Sequence, residues 1–268
     1  MDWSKAKTIL IITFLILNVF MLTMILFTGS NELFRNDYIR YAKDYLTSRD
    51  IEIKSDIPRV PKSTGKVLYA TKEYNVKALC RLVFGQEIPF SDNGTPIEIL
   101  FGGEKLILTD DELYIEDRLP EGELWFSDFN TFEENLINYL SNIGFNKLNL
   151  YLENFSEYEK AKEIVFTIKY KKLNVFDQQI SATIDNEGKL TITAPSKEIK
   201  KENGKGEVLS AYQILVTGGL PSGVKIEDID IGYRRVSEGD LYGVPVWRII
   251  TEDGGTMFYN GYTGERLY

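Results

Sequence analysis

The stretch Thr8-Ile9-Leu10-Ile11-Ile12-Thr13-Phe14-Leu15-Ile16-Leu17-Asn18-Val19-Phe20-Met21-Leu22-Thr23-Met24-Ile25-Leu26-Phe27 carries no charge, and its only non-apolar members are Thr8, Thr13, Asn18 and Thr23. As a helix rising about 1.5 Å per residue it spans roughly 30 Å, the thickness of a bilayer's hydrocarbon core. A signal peptide has a shorter apolar core, roughly 7–15 residues, and a small-residue cleavage site. Here the one weak cleavage match is Thr28-Gly29-Ser30, with no Cys beside it for lipid attachment. An uncleaved anchor over residues 8–28 is expected. Lys5 and Lys7 precede the run and Arg35 is the first cation after it. The positive-inside rule then places residues 1–7 in the cytoplasm and everything after the anchor outside the plasma membrane, with Trp3 at the interface.

Within the anchor, Phe14, Asn18, Met21 and Ile25 follow 4-3-4 spacing and share one helix face. An amide near the bilayer midplane gains roughly 0.6–2 kcal/mol by bonding to another helix. A single Asn is also tolerated in a span with no partner. Both readings stand at this point, and these four residues are the candidate helix-helix contact.

Working outward, the rest of the chain reads as a folded body. Apolar content is 43% and aromatic content 13%, ample for a packed core. Net charge is −9; the first 29 residues carry +1, so −10 falls on residues 30–268. Such acidity, without a basic stripe, argues against nucleic acid as a partner. The single cysteine, Cys80, excludes an intramolecular disulfide. It lies in the helical pattern Val76–Phe84 and reads as a buried thiol.

Coarse periodicity predicts a helix over 36–48 and strands near 51–53 and 66–70. A hairpin is predicted from 97–101 and 105–109 around Gly102-Gly103, followed by a strand at 113–115. A second helix is predicted over 131–143, with Glu133 and Glu134 in its first turn, before strands at 147–152, 164–170, 179–185 and 190–193. Lys197 to Gly206 reads as a charged linker. The order then recurs: a helix over 207–218 and strands at 224–236, 244–251 and 256–259. The expected fold class is α+β: one transmembrane helix, a subdomain over 29–125, and two helix-on-antiparallel-sheet units over 126–200 and 201–268.

Histidine is absent, which removes the commonest general base near neutral pH, the commonest zinc ligand, and Ser–His or Cys–His activation. No phosphate loop, GxSxG, HExxH or CxxC is present. Asp110-Asp111-Glu112 reads as a solvated hairpin tip and lacks calcium-loop spacing. The tyrosines of Phe258-Tyr259-Asn260-Gly261-Tyr262-Thr263-Gly264 read as turn packing. No catalytic, cofactor-binding or metal residue emerges, and the body reads as an interaction module rather than an enzyme.

The opening Met1-Asp2-Trp3-Ser4-Lys5-Ala6-Lys7 followed by the apolar run to Asn18 resembles the start of the YycI (WalI) family. These are membrane-anchored regulators of the WalK (YycG) histidine kinase that controls cell-wall metabolism in low-GC Gram-positive bacteria. The resemblance implies a sister protein, YycH, as a second partner, contacts that include transmembrane helices, and no catalytic residues. The C-terminal unit, with Pro245-Val246-Trp247-Arg248-Ile249, resembles PepSY-like domains. That likeness implies an alternative: an anchored inhibitor or ligand-binding module acting on an extracellular protease or wall component.

Overall fold

The computed structural model describes residues 3–28, 32–59, 64–91, 94–119, 129–237 and 239–268. The cleavage match at Gly29-Ser30, Pro61 and the expected boundary at 125/126 lie outside them, as does the Ile25 side chain. The fold is mixed α+β with a sheet-rich body and one N-terminal apolar helix. The helices are α1 (Trp3–Thr28), α2 (Glu32–Ser48), α3 (Val76–Phe84), α4 (Phe129–Asn142) and α5 (Ala211–Thr217). The strands before α4 are β1 (Glu52–Ile53), β2 (Thr64–Thr71), β3 (Ile97–Phe101), β4 (Glu104–Leu108) and β5 (Glu112–Arg118). Between α4 and α5 run β6 (Leu150–Glu157), β7 (Ala161–Tyr170), β8 (Leu173–Asp185), β9 (Lys189–Pro195) and β10 (Lys197–Gly206). After α5 come β11 (Lys225–Arg235), β12 (Tyr242–Thr251), β13 (Thr256–Asn260) and β14 (Arg266–Leu267).

Local chemistry accounts for the helix ends. Asn75 caps α3 by accepting from the Ala78 amide, and Gly85 closes it at φ 66°, where a side chain would be strained. Ser210 and Gln213 form a reciprocal capping box at the start of α5. Helix α4 begins at Phe129, so Glu133 and Glu134 sit beyond its first turn, correcting the expected dipole role. Its buried face is Phe132, Leu136, Tyr139 and Leu140.

The strands form one sheet whose main path runs β10-β2-β12-β11-β8-β9-β5-β4-β3. Two antiparallel runs dominate it: β6-β7-β8-β9 after α4, and β11-β12-β13-β14 after α5. The predicted linker at 197–206 is instead strand β10, paired with β2. Its lysines, Lys197, Lys200, Lys201 and Lys205, blunt an edge strand against further pairing, and such a run looks like a solvated linker in sequence.

Two main cores lie against the sheet. The first joins α3 and α4 to β3–β5 and β7–β9 and buries Cys80, Leu136, Phe166 and Ile192. The second joins α2 and α5 to β11–β13, with Leu46, Leu215, Ile229, Trp247 and Tyr259 at its centre. The stretch 29–125 supplies residues to both: Leu46 and Ile51 to the second core, Leu79 through Leu119 to the first.

Candidate functional site

The expected contact face lies on α1. The window Ala6–Met24 is long and apolar enough to cross a membrane, and none of it is buried against the body. Phe14 is 65% exposed and Met21 58%. Asn18 is also exposed. The hydroxyls of Thr13 and Thr23 donate back to the carbonyls of Ile9 and Phe20, at 2.9 and 2.8 Å, and so satisfy themselves within the helix. The Asn18 amide makes no hydrogen bond among the described residues. In hydrocarbon an unmet amide is disfavoured until another helix supplies partners.

Helix α2 follows α1 in the chain and is held by the second core rather than by the neighbouring α3 region. Ala42 and Leu46 are buried on its inner face, and α2 packs on α5. At its end, Arg49 Nη2 donates to the Leu220 carbonyl at 2.7 Å, and the Gly223 amide donates to the Arg49 carbonyl at 2.9 Å. Strand β1 then pairs in parallel with β11 through Glu52–Lys225 and Ile53–Ile226. The chain after α2 is thus fixed to a strand 173 residues away in sequence.

The two halves of the sheet meet at a narrow seam. Strands β8 and β11 pair in parallel at only two positions, Asn174–Gly232 and Val175–Tyr233. A Cβ on Gly232 would collide with the Asn174 carbonyl and the Phe176 ring, so glycine permits the approach. Two bulges aim polar side chains at this seam. Phe176, Asp177 and Gln178 have no partner on β7, and Glu153 is the extra residue between Leu152 and Asn154 on β6.

Ion pairs then cross the seam. Arg248 grips Asp230 with Nε–Oδ1 at 2.9 Å and Nη2–Oδ2 at 2.8 Å, and its Nη1 reaches Glu153. Asn174 Nδ2 donates to Asp230 at 3.1 Å and Thr167 Oγ1 to Glu153 at 3.0 Å. Nearby, Arg235 Nε donates to Asp177 at 2.7 Å, and the Tyr69 hydroxyl donates to the same carboxylate at 2.7 Å. Burial pulls both guanidinium groups down, but hydrogen bonds and charge from Asp230 and Glu153, or from Asp177, outweigh it and hold them above their ordinary value. Burial, then the Asp177 charge, pushes the Tyr69 phenol up, so it stays a donor. These groups stay charged or protonated at any physiological pH. That suits a structural clamp, not proton transfer.

The other sequence candidates resolve into structure. Asp110 accepts from Thr95 Oγ1 at 2.5 Å, Asp111 pairs with Lys197 at 2.6 Å, and no cluster able to hold a metal occurs among the described residues. Tyr259 is buried, and Tyr262 donates to the Thr64 carbonyl at 3.0 Å. Cys80 is a free, buried thiol. The seam residues went unmarked in the sequence, although one signal was there: Arg248 is a lone charge inside Val244-Pro245-Val246-Trp247-Arg248-Ile249-Ile250.

A family model described as "YycI protein" matches residues 35–262, most of the body. The chain belongs to the YycI family. This is a regulatory protein family, and membership suggests a regulator in the WalK/YycG system. No curated protein matches the chain. Among solved structures, an uncharacterized protein from Eubacterium rectale ATCC 33656 is similar at 13% identity and TM-score 0.49, covering 84% of this YycI chain and 98% of its own. The Bacillus megaterium YpeB C-terminal domain is similar at 10% identity and TM-score 0.45, covering 74% and 97%.

Proposed function

We propose that this chain is a non-enzymatic regulator that contacts the membrane-spanning helices of the WalK (YycG) sensor kinase through the face Phe14, Asn18, Met21 and Ile25. Its N-terminus lies in the cytoplasm and its body outside, where a YycH-like sister protein is the second partner. The units 126–200 and 201–268, each a helix followed by an antiparallel run, form the PepSY-like scaffold that presents these contacts. The observation that carries the reading is the uncovered anchor, whose Asn18 side-chain amide makes no hydrogen bond among the described residues, in a chain of the YycI family. Coupling from membrane to body then runs through α2 into the second core.

The test is co-purification of the kinase with the full chain, with a chain whose anchor is replaced by an unrelated apolar helix, and with Asn18→Leu. Loss of one interhelical amide bond worth about 0.6–2 kcal/mol predicts about 3- to 30-fold weaker capture by Asn18→Leu. The anchor swap should lose more. Equal recovery with the swapped anchor would sink the helix-contact mechanism and move the interface to the body.

A further inference from the structure

A cleft of about 170 Å³ opens beside the seam, between the end of α4, strand β7, the β8 bulge and the start of β10. Its apolar wall is Phe145, Leu150, Ile168, Val175 and Ile199. Its charged lining is three lysines, Lys72, Lys169 and Lys197, against one carboxylate, Glu198, in a chain whose net charge is −9. Two of those cations are occupied. Lys197 pairs with Asp111 at 2.6 Å, and Lys169 Nζ lies 3.7 Å from the centroid of the Tyr151 ring. Glu198 is turned to Lys200 at 2.5 Å.

Lys72 is also partnered, by a carbonyl and two rings rather than by a carboxylate. Its Nζ donates to the Gly144 carbonyl at 2.8 Å and sits 3.5 Å from the Phe145 and 5.1 Å from the Tyr74 ring centroids, with no carboxylate at ion-pair distance among the described residues. An ammonium has three donors, and one is used. Burial pulls its pKa down to about 8, opposed by Glu198, so it remains mostly charged at neutral pH.

The second independent feature is Gln178. It is only 3% exposed, it lines the cleft, and its amide makes no hydrogen bond among the described residues. The amide is not among the fully buried unpaired atoms, so it faces the cleft's solvent with its hydrogen-bonding groups open to a ligand. The β8 bulge that places Gln178 also turns Asp177 into the seam, so the amide is held in a fixed position.

We propose that this cleft binds a carboxylate joined to a ring-sized or branched apolar group, with Lys72 and Gln178 as the groups that recognise the carboxylate. The volume sets the apolar part: a cavity of roughly 150 Å³ accepts benzene. The charge sets the head: a cation beside an amide donor suits a single anionic oxygen pair better than a neutral group. Two sources offer this chemistry, a free organic acid and the C-terminal carboxylate of a peptide ending in an apolar residue.

Calorimetric titration of the purified full chain separates them. The probes are 3-phenylpropionate, its neutral amide, and a short peptide ending in Phe as free acid and as C-terminal amide. At least one acid should bind saturably and about tenfold or more tighter than its amide. A tighter peptide acid assigns a chain terminus; a tighter small acid assigns a free metabolite. Gln178→Leu should weaken the better acid about tenfold while leaving thermal stability near that of the wild type, because the amide makes no hydrogen bond among the described residues. Lys72→Met should weaken it at least as much, and its folding is checked by the same melt because Lys72 also holds the Gly144 carbonyl just after α4. Acids and amides binding alike, neither acid binding, or an unchanged affinity in Gln178→Leu would each overturn the site. None of these readouts involves the kinase, so they stand apart from the regulatory reading.

Discussion

The two cores are built in opposite ways. The first draws on residues 79–194, and its helices and strands follow one another along the chain. The second closes residues 46–57 onto 208–259, so its α2–α5 contact spans most of the sequence. Among the described residues the sheet is continuous between them only through the two β8–β11 pairs, flanked by half-buried ion pairs. The difference assigns them different tasks. The first core is built locally, and the second is the part on which α2, the helix that follows α1, is packed.

The strongest way to break that contrast is Trp247→Ala. Trp247 is fully buried in the second core and its Nε1 donates to the Leu209 carbonyl at 2.9 Å. The loss should lie near the top of the about 3–5 kcal/mol range for a buried aromatic, since a cavity and an orphaned carbonyl are created together. Cys80, buried in the first core, reports separately through its reaction with a maleimide on heating. The expected outcome is a lowered melt by circular dichroism with Cys80 protected up to nearly the wild-type temperature. Simultaneous loss of protection would show that the two cores unfold as one unit.

A smaller effect is expected at the seam. The Arg248 side chain is 11% exposed and compensates Asp230 and Glu153, at 23% and 20%. Arg248→Met leaves two half-buried carboxylates without their cation and should cost about 3 kcal/mol. Adding Asp230→Asn and Glu153→Gln removes the stranded charges and should restore most of the loss. Chemical denaturation of both variants decides this. A triple variant no more stable than the single one would mean that geometry, not charge, holds the halves together.

The same contrast explains what could be read from the sequence. The anchor, α3, α4, the β3–β4 hairpin and the β12–β13 pair were legible because each is specified by neighbours a few residues apart: apolar period, an Asn or Gly end, a Gly turn. The grouping of Phe14, Asn18, Met21 and Ile25 rests on helical spacing alone, and its role as a contact stays a proposal. The attachment of α2 to α5 was not legible, since Leu46 and Leu215 look like ordinary helix-face residues and nothing local names their partner. Neither were the bulges that displace Glu153, Asp177 and Gln178 from the ladder, because a bulge is a mismatch between two strands and leaves no mark in either one alone.

Strand β10 is the instructive failure, and Glu202 offers the finest test. Lys197 to Gly206 lacks an apolar face of its own, yet Glu202 ties it to β2 by accepting from the Gly65 amide at 2.5 Å, and pairs with Lys171 at 2.7 Å. Those two contacts, the amide first, hold its carboxyl below the ordinary 4.5. A carboxyl lowered on folding adds stability that is fully present above 4.5 and disappears as pH falls through the lower, folded-state value. Glu202→Gln should therefore melt slightly below the wild type at neutral pH, with the gap closing as pH falls below 4.5 and through the lower folded-state value. Every other carboxyl titrates in both proteins and cancels in the difference. A gap that stays constant with pH would assign the edge to backbone pairing alone, and the run of charges that disguised β10 as a linker would then contribute nothing to holding it in place.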